Sequence, residues 1–295
     1  MKLAYFGTPE MAVPPLRALV AAGHEIALVV TRVDKRRGRG SELSPSPVKA
    51  AALDLGLPVS HTVDDVLGRG VELGVVVAFG QLIEPHVLAE VSMVNVHFSL
   101  LPRWRGAAPV ERALLAGDVE TGVCLMRLEE GLDTGPIYDT VHLPISPTTT
   151  ADDLRRDLVA IGTDQLLRCL AAPLPKPVAQ HGEPLYAAKI RPEELRIDWS
   201  QTVGQIDRLV RLGGAWTTFR GKRLKILAAS WEGTVSSEGT VSSEGNVSSE
   251  GNAERSPERP LPGLRLVTVQ PEGKGPMPYA DFARGSRPQN DEMFE

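Results

Sequence analysis

The sequence predicts a doubly wound α/β sheet, and three observations carry that prediction. Short apolar runs alternate with helix-like segments over residues 1 to about 150. Gly74 to Phe79 is continuously apolar, as a central parallel strand buried on both faces must be. Val94 to Phe98 is a second strand-like run, alternating apolar and polar residues.

The elements follow in order. Leu3 to Phe6 reads as a strand ending at Gly7. Pro14 to Ala22 reads as a helix with Gly23 as its stop. Glu25 to Thr31 is the next strand, then a basic loop bearing Gly and Pro from Arg32 to Pro47, then a helix near Val48 to Leu55. Strands are also expected near Val123 and Ile137. A helical pattern returns from Leu154 to Ala172, and the Pro-rich stretch Pro173 to Pro184 reads as a connector. A short helix near Ile206 to Leu212 precedes a basic, strand-like segment, Thr217 to Leu227. Leu264 to Val269 is the last strand. Between these two segments, Glu232 to Asn252 repeats the hexapeptide Glu-Gly-Thr/Asn-Val-Ser-Ser three times, plus a fragment. One valine in six residues buries too little to offset ordering entropy, so this reads as a flexible linker. A β-solenoid needs longer arrays and more apolar positions.

Composition sets the outer limits. The chain has 295 residues, 42% hydrophobic and 23% charged, enough for one large domain or two medium ones. Its longest apolar runs, such as Leu73 to Phe79, fall short of the ~20 residues of a membrane span. The N-terminus turns too early for a secretory signal. Two cysteines, Cys124 and Cys169, make neither a disulfide framework nor a zinc site, so reduced thiols in a cytoplasmic protein are expected. No G-x-x-x-x-G-K-[ST], G-x-G-x-x-G or H-E-x-x-H motif occurs, which points to chemistry without a metal or nucleotide hydrolysis. Net charge is −5, and Glu232 to Glu295 holds 11 acidic and 6 basic residues, which accounts for all of it. The remainder is neutral but carries two basic clusters. One is Arg32, Lys35, Arg36, Arg37 and Arg39. The other is Arg208, Arg211, Arg220, Lys222, Arg223 and Lys225. Each is either a solvated face or a footing for a polyanion.

Two segments stand out chemically. In Val94 to Ser99 the period of two turns Val94, Val96 and Phe98 one way and Asn95, His97 and Ser99 the other. A lone His beside an Asn reads as a satisfied structural pair. Three polar groups in line read as a site, because open α/β sheets place ligands at the carboxyl ends of their strands. The second segment is Glu129 to Gly135, where glycines bracket Asp133 and let the backbone bend tightly or a ligand approach. An aspartate there ordinarily caps a turn. It joins the site only if it reaches His97.

The run from Asn95 through His97, Ser99, Leu100, Leu101, Pro102, Arg103, Trp104, Arg105 and Gly106 to Val110 resembles the folate-dependent formyltransferases. Phe6 to Pro9, Gly38-Arg39-Gly40, Pro45 to Lys49, Val77 to Gly80, Gly131 to Gly135 and Arg196 to Trp199 agree with it. The likeness covers residues 1 to about 230 and resumes near Leu264 to Met277. It implies a Rossmann-like formyl-transfer domain over 1–172, a linker over 173–203 and a smaller OB-like β-barrel over 204–295. A low-complexity insertion at 232–262 stands where the family has further barrel strands, so an incomplete barrel with an exposed edge is expected.

The resemblance further implies 10-formyltetrahydrofolate as donor and the α-amine of initiator methionyl-tRNA as acceptor. Asn95, His97 and Asp133 would be the catalytic residues. Ser99, Leu100, Leu101 and Pro102 would line the folate site, with Phe79, Gly80 and Leu82 beside the pterin. Arg36, Arg37, Arg39 and Lys222 would contact tRNA. Asn95 would donate to the developing oxyanion, His97 would serve in proton transfer, and Asp133 would orient the imidazole. A monomer without a membrane partner is expected. Two other readings remain: a formyltransferase acting on an amino-sugar nucleotide or purine-pathway amine, and a non-catalytic RNA-binding protein.

Overall fold

A computed structural model describes residues 1–36, 43–231, 261–289, 292 and 294, which form two compact units. The first comprises Met1–Ala113, Val119–Ser146 and Asp153–Lys189; the second comprises Leu114–Asp118, Pro147–Asp152 and Ile190–Glu295. The Pro-rich stretch after residue 172 thus belongs to the first unit.

The first unit begins with β1 (Lys2–Gly7), α1 (Val13–Ala21), β2 (Glu25–Val30), the short pair β3 (Lys35–Arg36) and β4 (Leu43–Ser44), and α2 (Pro47–Asp54). It continues through β5 (Val59–Ser60), β6 (Leu73–Val77), α3 (Pro85–Glu90), β7 (Met93–His97), β8 (Arg105–Gly106) and α4 (Pro109–Ala116). β9 (Glu120–Arg127), β10 (Ile137–Pro144), α5 (Ala151–Leu170) and β11 (Tyr186–Ala187) follow. Seven strands form one sheet in the order β10-β9-β7-β6-β1-β2-β5. The five from β5 to β7 in that sheet run parallel; β9 and β10 close its far edge antiparallel.

Period two sorts each strand between two cores. Leu3 and Tyr5 of β1 join Leu16 and Leu19 of α1, Val48 of α2 and Leu154 and Leu158 of α5 on one face. Ala4 and Phe6 join Leu28, Val76 and Val87 of α3 on the other. Each fully buried leucine contributes roughly 1.5–3 kcal/mol. The doubly wound architecture follows directly from this two-sided burial. α5 approaches closely because residue 162 is glycine: a Cβ there would lie 3.2 Å from Val96 and Val123.

Some boundaries shift for local reasons. β6 stops at Val77 rather than Phe79 because Ala78 turns left-handed (φ 46°). The basic segment from Thr217 is two strands, because Arg220 and Gly221 both take positive φ and fold a tight hairpin. α3, α4 and a C-terminal helix are additional elements, each 6 to 8 residues long.

The second unit holds α6 (Val203–Leu212), β12 (Trp216–Phe219), β13 (Lys222–Trp231), β14 (Leu264–Pro271), β15 (Met277–Pro278) and α7 (Tyr279–Ser286). A Thr202–Gln205 capping box starts α6. Among the described residues the sheet is antiparallel and open, in the order β12-β13-β14-β15, and not a closed barrel. Phe219 meets Phe282 edge-on, and Phe294 stacks on Trp199 at 5.6 Å. The hexapeptide repeat lies outside the described residues; Leu261, at the end of the expected insertion, is buried beside Leu264. Among the described residues no helix is long and apolar enough to cross a membrane.

Candidate active site

β7 is paired on both sides, to β6 and to β9, so the side chains it projects are held in fixed directions. Val94, Val96 and Phe98 enter the core beneath α1 and α5. Asn95 and His97 therefore face the opposite way, His97 as the strand's last residue at its carboxyl end. The carboxyl ends of β1 and β6 share this edge, where the Thr8 hydroxyl donates to the Phe79 carbonyl at 3.3 Å.

Beyond the strand, Ser99 is fully buried and donates to the Arg103 carbonyl at 2.7 Å. Trp104 adopts a left-handed conformation (φ 64°), which turns its carbonyl to His97 Nε2 at 2.9 Å. A carbonyl only accepts, so Nε2 carries the proton and Nδ1 is the position that faces the site. Two residues on, Gly106 (φ 113°) directs its N–H to Asp133 Oδ2 at 2.7 Å. The turn from Ser99 to Gly106 thus holds both His97 and Asp133.

Asp133 arrives from the loop between β9 and β10. Its backbone is left-handed (φ 51°), a conformation that costs about 1–2 kcal/mol for most residues and that aspartate tolerates better. Its Oδ1 accepts from Asn95 Nδ2 at 3.4 Å, and its Oδ2 lies 3.7 Å from His97 Nδ1. The second distance is an ion-pair separation, longer than a hydrogen bond. The His97 and Asp133 side chains are only 6% and 11% exposed, so their interaction is poorly screened. The flanking glycines matter through close approach of the protein's own atoms: a Cβ at Gly135 would sit 1.9 Å from the Arg127 carbonyl oxygen, and one at Gly131 would sit 2.2 Å from Thr134 Oγ1.

Other expected site residues are placed differently. Phe79 is buried in the core edge-on to Phe6; Gly80 is exposed, and Leu82 is 70% exposed. Leu101 packs with Cys124 and Met126, and Leu100 rests on Gly122. Pro102 is half-buried, and its carbonyl accepts from the Leu185 N–H. A cavity of about 600 Å³ borders the Asp133 loop, lined by Leu88, Met93, Arg127, Leu128, Glu129 and Thr134 among others. None of the seven expected folate residues is among its lining, and no sequence pattern marked Leu88, Met93 or Leu128. Gln180 is also unanticipated: it donates to the Asp133 carbonyl from within the Pro-rich stretch.

Arg36 is exposed in β3, and Lys222 is exposed at the start of β13. Arg37 and Arg39 lie outside the described residues. Within the second unit, Lys222, Arg223, Lys274, Phe219 and Phe282 border a hollow of about 370 Å³. Cys124 and Cys169 are both free, and burial pushes both thiols above the usual range. Among the described residues no group of His, Cys, Asp and Glu is arranged to hold a metal ion.

Comparison with known proteins places this geometry in context. Residues 1–170 match the model of the formyl transferase family, and residues 189–287 match that of the formyl transferase C-terminal domain. The methionyl-tRNA formyltransferase of Roseobacter denitrificans is 39% identical over 324 aligned positions, covering 100% of this chain and 99% of that protein. That of Ruegeria pomeroyi is 44% identical, covering 78% of this chain and 81% of its own. Among solved structures, methionyl-tRNA formyltransferase from Clostridium thermocellum superposes with a TM-score of 0.57 at 18% identity, over 79% of this chain and 94% of that one. An N-formyltransferase from Helicobacter canadensis, in complex with folinic acid and dTDP-3-aminofucose, gives 0.62 at 18% identity, over 79% and 88%. At that identity both structures speak to the fold alone.

Proposed function

The chain belongs to the formyl transferase family, and from that membership we propose that it transfers a formyl group from 10-formyltetrahydrofolate to the α-amine of methionyl-tRNA. The observation that carries this reading is the convergence of Asn95 and His97, both projected from β7, on Asp133, at 3.4 and 3.7 Å respectively. The acceptor is the initiator tRNA, and the protein acts as a cytoplasmic monomer.

The donor set fits such a substrate. The folate supplies an activated formyl carbon, whose bond to the folate nitrogen breaks as the bond to the amine forms. One N–H of Asn95 Nδ2 faces Asp133; the other is available to donate to the formyl oxygen as negative charge develops there. His97 uses Nε2 to fix its ring on the Trp104 carbonyl, leaving Nδ1 to take the proton from the attacking amine and return it to the departing folate nitrogen. Asp133, itself held by the Gly106 N–H, stabilises the cationic ring from 3.7 Å. The shielding of both side chains strengthens each of these effects.

Purified protein incubated with methionyl-tRNA and formyl-folate is expected to yield formylmethionyl-tRNA, read by acid–urea electrophoresis. Absence of the product, or equal formylation of free amino sugars, rejects the substrate assignment. Arg36, Arg37, Arg39 and Lys222 supply phosphate contacts. Affinity for tRNA should therefore fall steeply with salt. Lys222→Ala is expected to make the log–log salt slope shallower by about 1. A slope identical to that of the parent protein removes Lys222 from the interface.

A further inference from the structure

We infer that Gln180 is a positioning residue that holds Asp133 in its working orientation, an inference that rests on the transfer reading above. Gln180 touches neither Asn95 nor the His97 ring in any described contact. Its Nε2 donates to two backbone carbonyls, of Asp133 and of Gly135, each at 2.8 Å. Its Oε1 accepts from Arg105 twice, from Nε at 3.1 Å and from Nη2 at 2.7 Å. A carboxamide has two N–H groups and two lone-pair positions, and all four are engaged. The guanidinium has no acceptor and the carbonyls have no donor, so the partners themselves fix which way the amide points.

The consequence is geometric. Pinning the carbonyls of residues 133 and 135 fixes the 133–134 and 135–136 peptide planes, and with the first of them the direction in which Asp133 projects its carboxylate. The same dipeptide acts twice. Arg105 holds the loop backbone through Gln180, while the Gly106 N–H holds Asp133 Oδ2 directly. Arg105–Gly106 in turn pairs in parallel with Tyr186–Ala187, shortly after Gln180 in the chain. Glutamate at 180 would keep the bond to Arg105 but present only acceptors to two carbonyls. It therefore isolates the donations to the loop from the rest of the packing.

Gln180→Glu and Gln180→Ala are to be assayed in the full chain with methionyl-tRNA and formyl-folate. Both are expected to lower kcat by about 10–10²-fold while KM for either substrate moves by no more than about threefold. The near-isosteric Glu variant should be no milder than Ala. A scaffolding role alone predicts the reverse, since glutamate preserves shape and the contact with Arg105. In an Asp133→Ala background, adding Gln180→Ala should leave the single-turnover rate unchanged, because its effect runs through that carboxylate. An equal loss in both backgrounds, or wild-type kcat in Gln180→Ala, overturns the inference. Should the Glu variant fail to fold, the Ala variant and its cycle decide alone. An inactive wild-type protein overturns the transfer reading instead, so the two failures are distinguishable.

Discussion

His97→Ala is expected to reduce kcat by about 10²–10⁴-fold, the range for loss of a positioned acid–base group, with little change in either KM. The ring is held at one nitrogen by the Trp104 carbonyl and faces Asp133 with the other, so no neighbouring side chain takes over its proton. The fold should survive. Ser99 Oγ lies 3.5 Å from the same carbonyl and retains a contact with it when the imidazole is gone. Steady-state kinetics alongside the unfolding midpoint separates the two effects. His97→Gln sharpens the test, since an amide restores a donor to Trp104 without a titratable group. Turnover recovered in that variant would mean that the ring serves packing and not proton transfer.

Asn95→Ala is expected to cost about 10²–10³-fold in kcat, the range for one donor aimed at a developing oxyanion. Asp133 keeps its 2.7 Å bond from Gly106 in this variant, so the loss reports on the amide itself and not on a displaced carboxylate. Asn95→Asp should be at least as damaging. It removes the donor and places a second carboxylate about where the amide lay 3.4 Å from Asp133 Oδ1, where like charges oppose each other. A change confined to KM, with kcat intact, would reassign Asn95 to ground-state binding.

What the sequence discloses follows from what leaves a local trace. The two faces of β7 are legible because a period of two writes burial into neighbouring letters, and Val94, Val96 and Phe98 enter one core as that period requires. Asp133 leaves no such trace. It lies 38 residues from Asn95, and only the family resemblance suggested their meeting. The left-handed turns at Ala78, Trp104 and Arg220 are also silent, because each is adopted by a residue that ordinarily avoids it and is imposed by surrounding contacts. Gln180 is the clearest case. A glutamine in an irregular Pro-rich stretch has no periodicity, and its four hydrogen bonds run to residues 105, 133 and 135. The cavity beside the loop joins part of the Glu129–Gly135 segment to Leu88 of α3 and Met93 of β7, and only the first of these stands out in the sequence.

The parallel pairing of Arg105–Gly106 with Tyr186–Ala187 bears on how such a polypeptide is made. During synthesis Asn95 and His97 leave the ribosome first and Asp133 soon afterwards. The backbone that anchors that carboxylate is not complete until Ala187 has also emerged. Closures between distant segments form late, because chain entropy is lost before their contacts repay it. A nascent chain stalled before this point should already carry Asn95, His97 and Asp133 yet turn over far more slowly than the finished protein.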